Sequence, residues 1–236
     1  MRSTNPGRVA GFLYLLLVIT GPLRLIYIPS TLFVPGNPSA TANNISTHQM
    51  LFRAGMAADV FCGVILIFIL LALYQLLKEV DQKQAVLMVI LGGILPSAIY
   101  FFNVLNDAAA LMLVKGADFL SVFEKPQREA LAMLFLRLHG QEIVAAETLW
   151  GLWLFPLGTL VYRSGFLPRF LGVWLILNGF AYLALSLTGL LLPQYEDRAS
   201  QISFPLLLGE VAFVLWLLIK GARPKPVASP AFQAEN

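Results

Sequence analysis

Charged side chains are scarce in this chain of 236 residues: Asp, Glu, Lys and Arg together make up 12% of it, where an average soluble domain has about 25%. With 58% apolar residues and a mean hydropathy of +0.76, too little polar material remains to coat a water-soluble fold. Cysteine is nearly absent. The one cysteine, Cys62, lies in an apolar run, where it packs as a small hydrophobe, so a disulfide scaffold is excluded. Histidine occurs only at His48 and His139, which leaves no HExxH motif and no His-rich pair of helices. Heptads and low-complexity tracts are missing, which excludes a coiled coil and a disordered chain. No internal repeat supports an inverted-repeat transporter. Basic residues are scattered singly or in pairs without a nucleic-acid module, so no nucleic-acid partner is expected.

What is abundant is apolar runs long enough, or nearly so, to cross about 30 Å of hydrocarbon, and lipid forces each to be helical because the backbone has no other partner there. Six such runs, near 9–31, 55–77, 86–110, 141–162, 169–192 and 204–220, predict an all-α polytopic transmembrane bundle, one domain over 1–220. Span one follows Arg2 and Arg8 as a signal peptide would, but it continues past Arg24 to Phe33 and Val34 with no clear small-x-small cleavage site. It is read as a retained span. In the longest connection, about 111–140, Pro126 suits the first turn of a helix. The apolar stretch Ala130 to Leu138 reads either as an interfacial helix or as an extension of span four. Residues 221–236, with Pro224, Pro226 and Pro230, are expected to form a disordered cytoplasmic tail. The short connections Lys78–Lys83 and Arg163–Arg169 are basic and fall on the side of both termini, so the positive-inside rule predicts N-in and C-in.

The stretches Arg8-Val9-Ala10-Gly11-Phe12-Leu13-Tyr14-Leu15-Leu16, Leu51-Phe52-Arg53-Ala54-Gly55, Arg163-Ser164-Gly165-Phe166-Leu167-Pro168-Arg169-Phe170-Leu171-Gly172 and Gly209-Glu210, followed by Leu215-Trp216-Leu217-Leu218-Ile219-Lys220-Gly221, carry a family likeness. In these residues and their order the chain resembles the bacterial integral-membrane family known only as domain of unknown function four-three-eight-six. The resemblance implies a multi-pass protein of the bacterial cytoplasmic (inner) membrane. It brings no activity, substrate, cofactor or catalytic residue.

An ionisable group in a span costs about 2.5 kcal/mol or more, so each one invites a functional reading. Arg24 lies in span one, Asp59 in span two, Asn103, Asn106 and Asp107 in span three, His139, Glu142 and Glu147 in or beside span four, and Glu210 in span six. At about 1.5 Å per helical residue, Arg24, Asp59 and Glu210 sit roughly 10 Å from the outer ends of their spans. The polar residues of spans three and four also fall in the outer part, so all nine are expected in one layer. Pro96, Tyr100, Asn103 and Asp107 form one stripe on span three. His139 and Glu142 share a face of span four, while Glu147 points away from Glu142, so span four is expected to serve two neighbours. Pro22, Pro96 and Pro156 are expected to bend their helices, span three most of all because Gly92-Gly93 precedes its proline.

Five carboxylates in this layer face one fixed cation, Arg24, and the surplus calls for bound protons or a bound cation. Three readings follow. The first is binding or transport of a small cation, proton or cationic solute. The second is a structural or accessory protein with a paired ionic core and no cavity. The third is a membrane-embedded metal-dependent enzyme, for which His139, Glu142, Asp59 and Asp107 are the weak ligand candidates and His48 a further one. Ser97 and Ser186 read as helix-packing residues.

Overall fold

The computed structural model describes residues 5–223, and among them every regular element is helical. Six helices are long and apolar enough to cross a membrane: Pro6–Leu32, Gln49–Leu77, Gln82–Lys115, Lys125–Arg163, Arg169–Leu191 and Pro193–Ile219. They follow the order of the six predicted runs, as expected of a multi-pass membrane protein. The main chain of Gly7 donates to Ala222 O at 3.1 Å, and Ala222 N donates to Asn5 Oδ1 at 3.0 Å. The two ends of the described residues therefore meet at one end of the bundle, here called the terminal end.

One open boundary is decided and two others differ from the sequence reading. Ala130 to Leu138 belongs to span four, a continuous helix of 39 residues that is about 58 Å long. Its start is secured by Pro126 and by a reciprocal cap in which Glu124 and Gln127 satisfy each other's backbone. The excess length reaches past the other spans and packs on a short helix, Pro38–Thr47, where Ser39 hydrogen-bonds the buried Glu129. Span six begins earlier than 204. Its helix starts at Glu196, with Glu196 and Asp197 in the first turn, where carboxylates suit the positive end of a helix. At the other end of the chain, Gly221 takes φ +71°, a left-handed helix stop, and Ala222 is buried, so 221–223 are packed. The rest of the expected tail, 224–236, lies outside the described residues.

Two apolar clusters fill the bundle. The larger, toward the terminal end, includes Tyr14, Leu70, Leu73, Tyr100, Leu154, Leu157 and Phe213. The smaller, at the far end, joins Ile28, Leu32, Ile45, Phe52, Leu111 and Leu136. Along spans one to four, Arg24, Asp59, Asp107 and His139 each fall between a residue of one cluster and a residue of the other. The polar layer is the seam between two cores.

Glycine decides the tightest helix contact. Gly151 and Gly158 of span four face Gly179 and Gly172 of span five, and a Cβ on either of the first two would lie 2.6 Å from the facing carbonyl oxygen. These glycines are not spaced as in GxxxG, but spacing of seven also keeps small residues on one face, and small residues let helices in lipid approach closely. We predict that Gly158→Leu lowers stability by about 2 kcal/mol or more through overpacking, while Gly140→Ala, whose Cβ meets nothing within 4 Å, leaves it unchanged or raises it by up to about 1 kcal/mol. Thermal unfolding of the purified protein in detergent checks both.

Candidate functional site

Proline sets the geometry of the seam. Pro22 cannot donate a backbone hydrogen bond, and the helix beyond it widens into a π-turn over Leu23–Tyr27 that carries Arg24. A second π-turn, Ile90–Ile94, ends just before Leu95-Pro96 in span three. There Gly92 lies against the Trp153 ring and Gly93 against Leu70, contacts that leave no space for a larger side chain at Gly92. Pro156, by contrast, is accommodated inside an unbroken α-helix. The two wide turns aim Arg24 and the stripe Tyr100, Asn103, Asp107 at the middle of the bundle.

Arg24 is 5% exposed and Asp59 1%; the two form an ion pair. The guanidinium also lies over the Tyr100 ring, 4.6 Å from its centroid, a cation–π contact that supplements the carboxylate. Beside them, His139 Nδ1 is 2.8 Å from Asp107 Oδ1. One ligand atom each from Asp59, Asp107 and His139 all lie within 4.8 Å of one another. These groups border a cavity of about 320 Å³, whose wall also includes Phe33, Phe52, Gly140, Glu147 and Glu196. Glu196 is exposed and marks the rim. The cavity thus holds four carboxylates, one guanidinium and one imidazole.

The remaining candidates go elsewhere. Glu142 accepts from Asn106 Nδ2 at 3.1 Å on the span-three side, while Glu147 faces the cavity, so span four does serve two neighbours. Asn103 is buried beside Arg24 in a smaller crevice, and its Oδ1 has no partner among the described residues. His48 is exposed and only approaches the carbonyl of Asn44, so it is not part of the cluster. Ser97 donates to Gly63 O at 2.8 Å, and Ser186 pairs with Thr148 at 2.7 Å; both are helix-to-helix contacts.

Glu210 does not share the layer. Its carboxylate accepts from Tyr14 and, at 3.4 Å, from Asn178 Nδ2, with Tyr182 beside it. Tyr14 precedes Arg24 by ten residues, about 15 Å along span one. Span six starts at Glu196, which carries Glu210 farther toward the terminal end than a start at 204 implies. Sequence reasoning also missed Tyr14, Tyr182 and Glu196. A tyrosine in an apolar run scores as core, and its hydroxyl becomes visible only once a partner is known.

Removing one member of a buried pair leaves an unpaired charge, at a cost of about 3–5 kcal/mol. Arg24→Met should therefore lower stability by about that amount, and Arg24→Met with Asp59→Leu should recover most of the loss. Unfolding of the two single variants and the double variant measures it as a double-mutant cycle.

No solved structure matches the chain. An uncharacterised protein of the archaeon Archaeoglobus fulgidus is 28% identical over 196 residues, covering 78% of this chain and 99% of that protein. The family model described as domain of unknown function DUF4386 matches residues 9–221, and the chain belongs to that family.

Proposed function

We propose that this membrane protein binds a divalent metal cation through Asp59, Asp107 and His139. The observation that carries the reading is the convergence of two carboxylates and an imidazole, from three different spans, on the wall of one cavity. Two oxygens and a nitrogen suit first-row divalent ions such as Zn²⁺ or Mn²⁺. Donors around one such ion lie at most about 4 Å apart, so side-chain rotations of about 1 Å close the set. Arg24 on Asp59 acts as the outer hydrogen-bonding partner that orients a ligating carboxylate.

The paired groups favour the structural reading in part, but a purely structural core has no use for the cavity beside them. Three protein ligands with the remaining positions open to a cavity is also the arrangement of catalytic metal sites. That arrangement supports metal-dependent hydrolysis as the second reading. The basic connections Lys78–Lys83 and Arg163–Arg169 support a cytoplasmic terminal end, in a bacterial inner membrane, with the cavity in the outer half of the bilayer.

Metal analysis after dialysis against Zn²⁺ or Mn²⁺ should find one ion per chain. Asp107→Asn and His139→Ala should each lower the affinity at least tenfold, while Glu142→Gln, outside the cavity, should not. A wild-type protein that retains no stoichiometric metal sinks the reading.

A further inference from the structure

A second cavity, of about 380 Å³, lies between spans one and six on the terminal side of Arg24. Its wall is aromatic and aliphatic, with Tyr14, Trp150, Trp153 and Tyr182 among its residues, and Glu210 is the carboxylate it contains. Near the terminal end the two spans close tightly. A Cβ on Gly11 would sit 2.8 Å from the Cβ of Leu217, and Gly7 is hydrogen-bonded to Ala222. Farther along, Pro22 with its π-turn in span one and Pro205 inside span six mark where the pair diverges around the chamber. The lips are Leu25, Ile26, Phe204 and Val211, all exposed on the outside of the bundle. A surface of that composition at mid-span faces hydrocarbon, so the chamber opens sideways into the bilayer.

Glu210 is the unusual feature of this chamber. Its neighbours Tyr14 and Asn178 are neutral donors, and no Lys, Arg or His forms an ion pair with it among the described residues. Arg24 also borders the chamber, but its charge is matched by Asp59 and its face is covered by Tyr100. A carboxylate in an apolar, lipid-connected space is neutralised by a bound proton or by a counter-charge, and the walls here suit a counter-charge of one kind. Aromatic ring faces attract a weakly hydrated organic cation, a quaternary ammonium above all. A small inorganic ion would gain little from such walls.

From the open lip, the aromatic walls and the lone carboxylate we infer that this chamber binds a lipophilic organic cation, a quaternary ammonium or phosphonium on an apolar body, which enters from the bilayer and pairs with Glu210. The site is separate from the metal cluster and does not rest on it.

Tetraphenylphosphonium is a suitable probe, read by equilibrium dialysis on the full chain in lipid nanodiscs, with empty nanodiscs as the partition background. Saturable binding of one probe per chain is expected, with quenching of tryptophan fluorescence from Trp150 and Trp153. Glu210→Gln should weaken binding at least tenfold while leaving metal content unchanged. Gly21→Phe, which projects from the chamber wall where a Cβ meets nothing within 4 Å, should block it without a clash, and thermal unfolding confirms that both variants fold. Glu147→Gln, in the ionic cavity and outside the chamber wall, should bind as the wild type does. Wild-type affinity in both Glu210→Gln and Gly21→Phe overturns the inference, as does equal competition by neutral tetraphenylmethane. Loss in Glu147→Gln with retention in Glu210→Gln places the cation in the ionic cavity instead and overturns it equally.

Discussion

A guanidinium cannot remain unpaired among apolar side chains, and the rest of this bundle is arranged around satisfying Arg24. The charge is met by Asp59 from span two and by the Tyr100 ring from span three. Three spans are thereby held in one register, because moving any of them by a turn, about 5.4 Å, breaks a contact that hydrocarbon does not replace. Apolar packing alone is permissive, since one leucine serves nearly as well as another when lipid is the competing environment. The position of the seam between the two apolar cores is therefore set by its charges.

The devices that bring the charges together are small residues and prolines. Glycine pairs between spans four and five build the tightest wall, and span four then carries His139 to the seam. The π-turns next to Pro22 and Pro96 rotate the helix beyond them, which aims Arg24 on one side and the Tyr100 to Asp107 stripe on the other. Each device costs local regularity and returns a directed polar group. This is the relation between strain and site seen where helix defects occur at functional positions.

Much of this was legible in the sequence, for definite reasons. Hydrophobic run length identifies spans because lipid admits no other backbone solution, and the i, i+4, i+7 pattern identified the span-three stripe because helical geometry is fixed. The cluster of Arg24, Asp59, Asp107 and His139 followed from charge at similar depth. Depth failed for Glu210, whose span begins with the polar run 196–203 that hydropathy excludes from a membrane segment although its capping carboxylates make it helical. The glycine seam was missed because its spacing of seven is not the familiar four. The chamber was invisible for a deeper reason: a cavity is missing atoms between helices, and no residue type marks it.

The two cavities are stacked along one helix face. His139, Ile143 and Glu147 of span four line the ionic cavity, and Trp150, at the next helical step, lines the aromatic chamber. The chemistry changes from ionisable to aromatic within a single turn, and Arg24 stands where it changes, bordering both spaces. A bare guanidinium there would repel a positive ligand on either side: at an effective dielectric constant of about 20, two unit charges 8 Å apart oppose each other by about 2 kcal/mol. Asp59 cancels that field in both directions. The same ion pair that fixes the register of the bundle thus makes it electrostatically possible for Asp107 with His139 on one side, and Glu210 on the other, to meet positive charge.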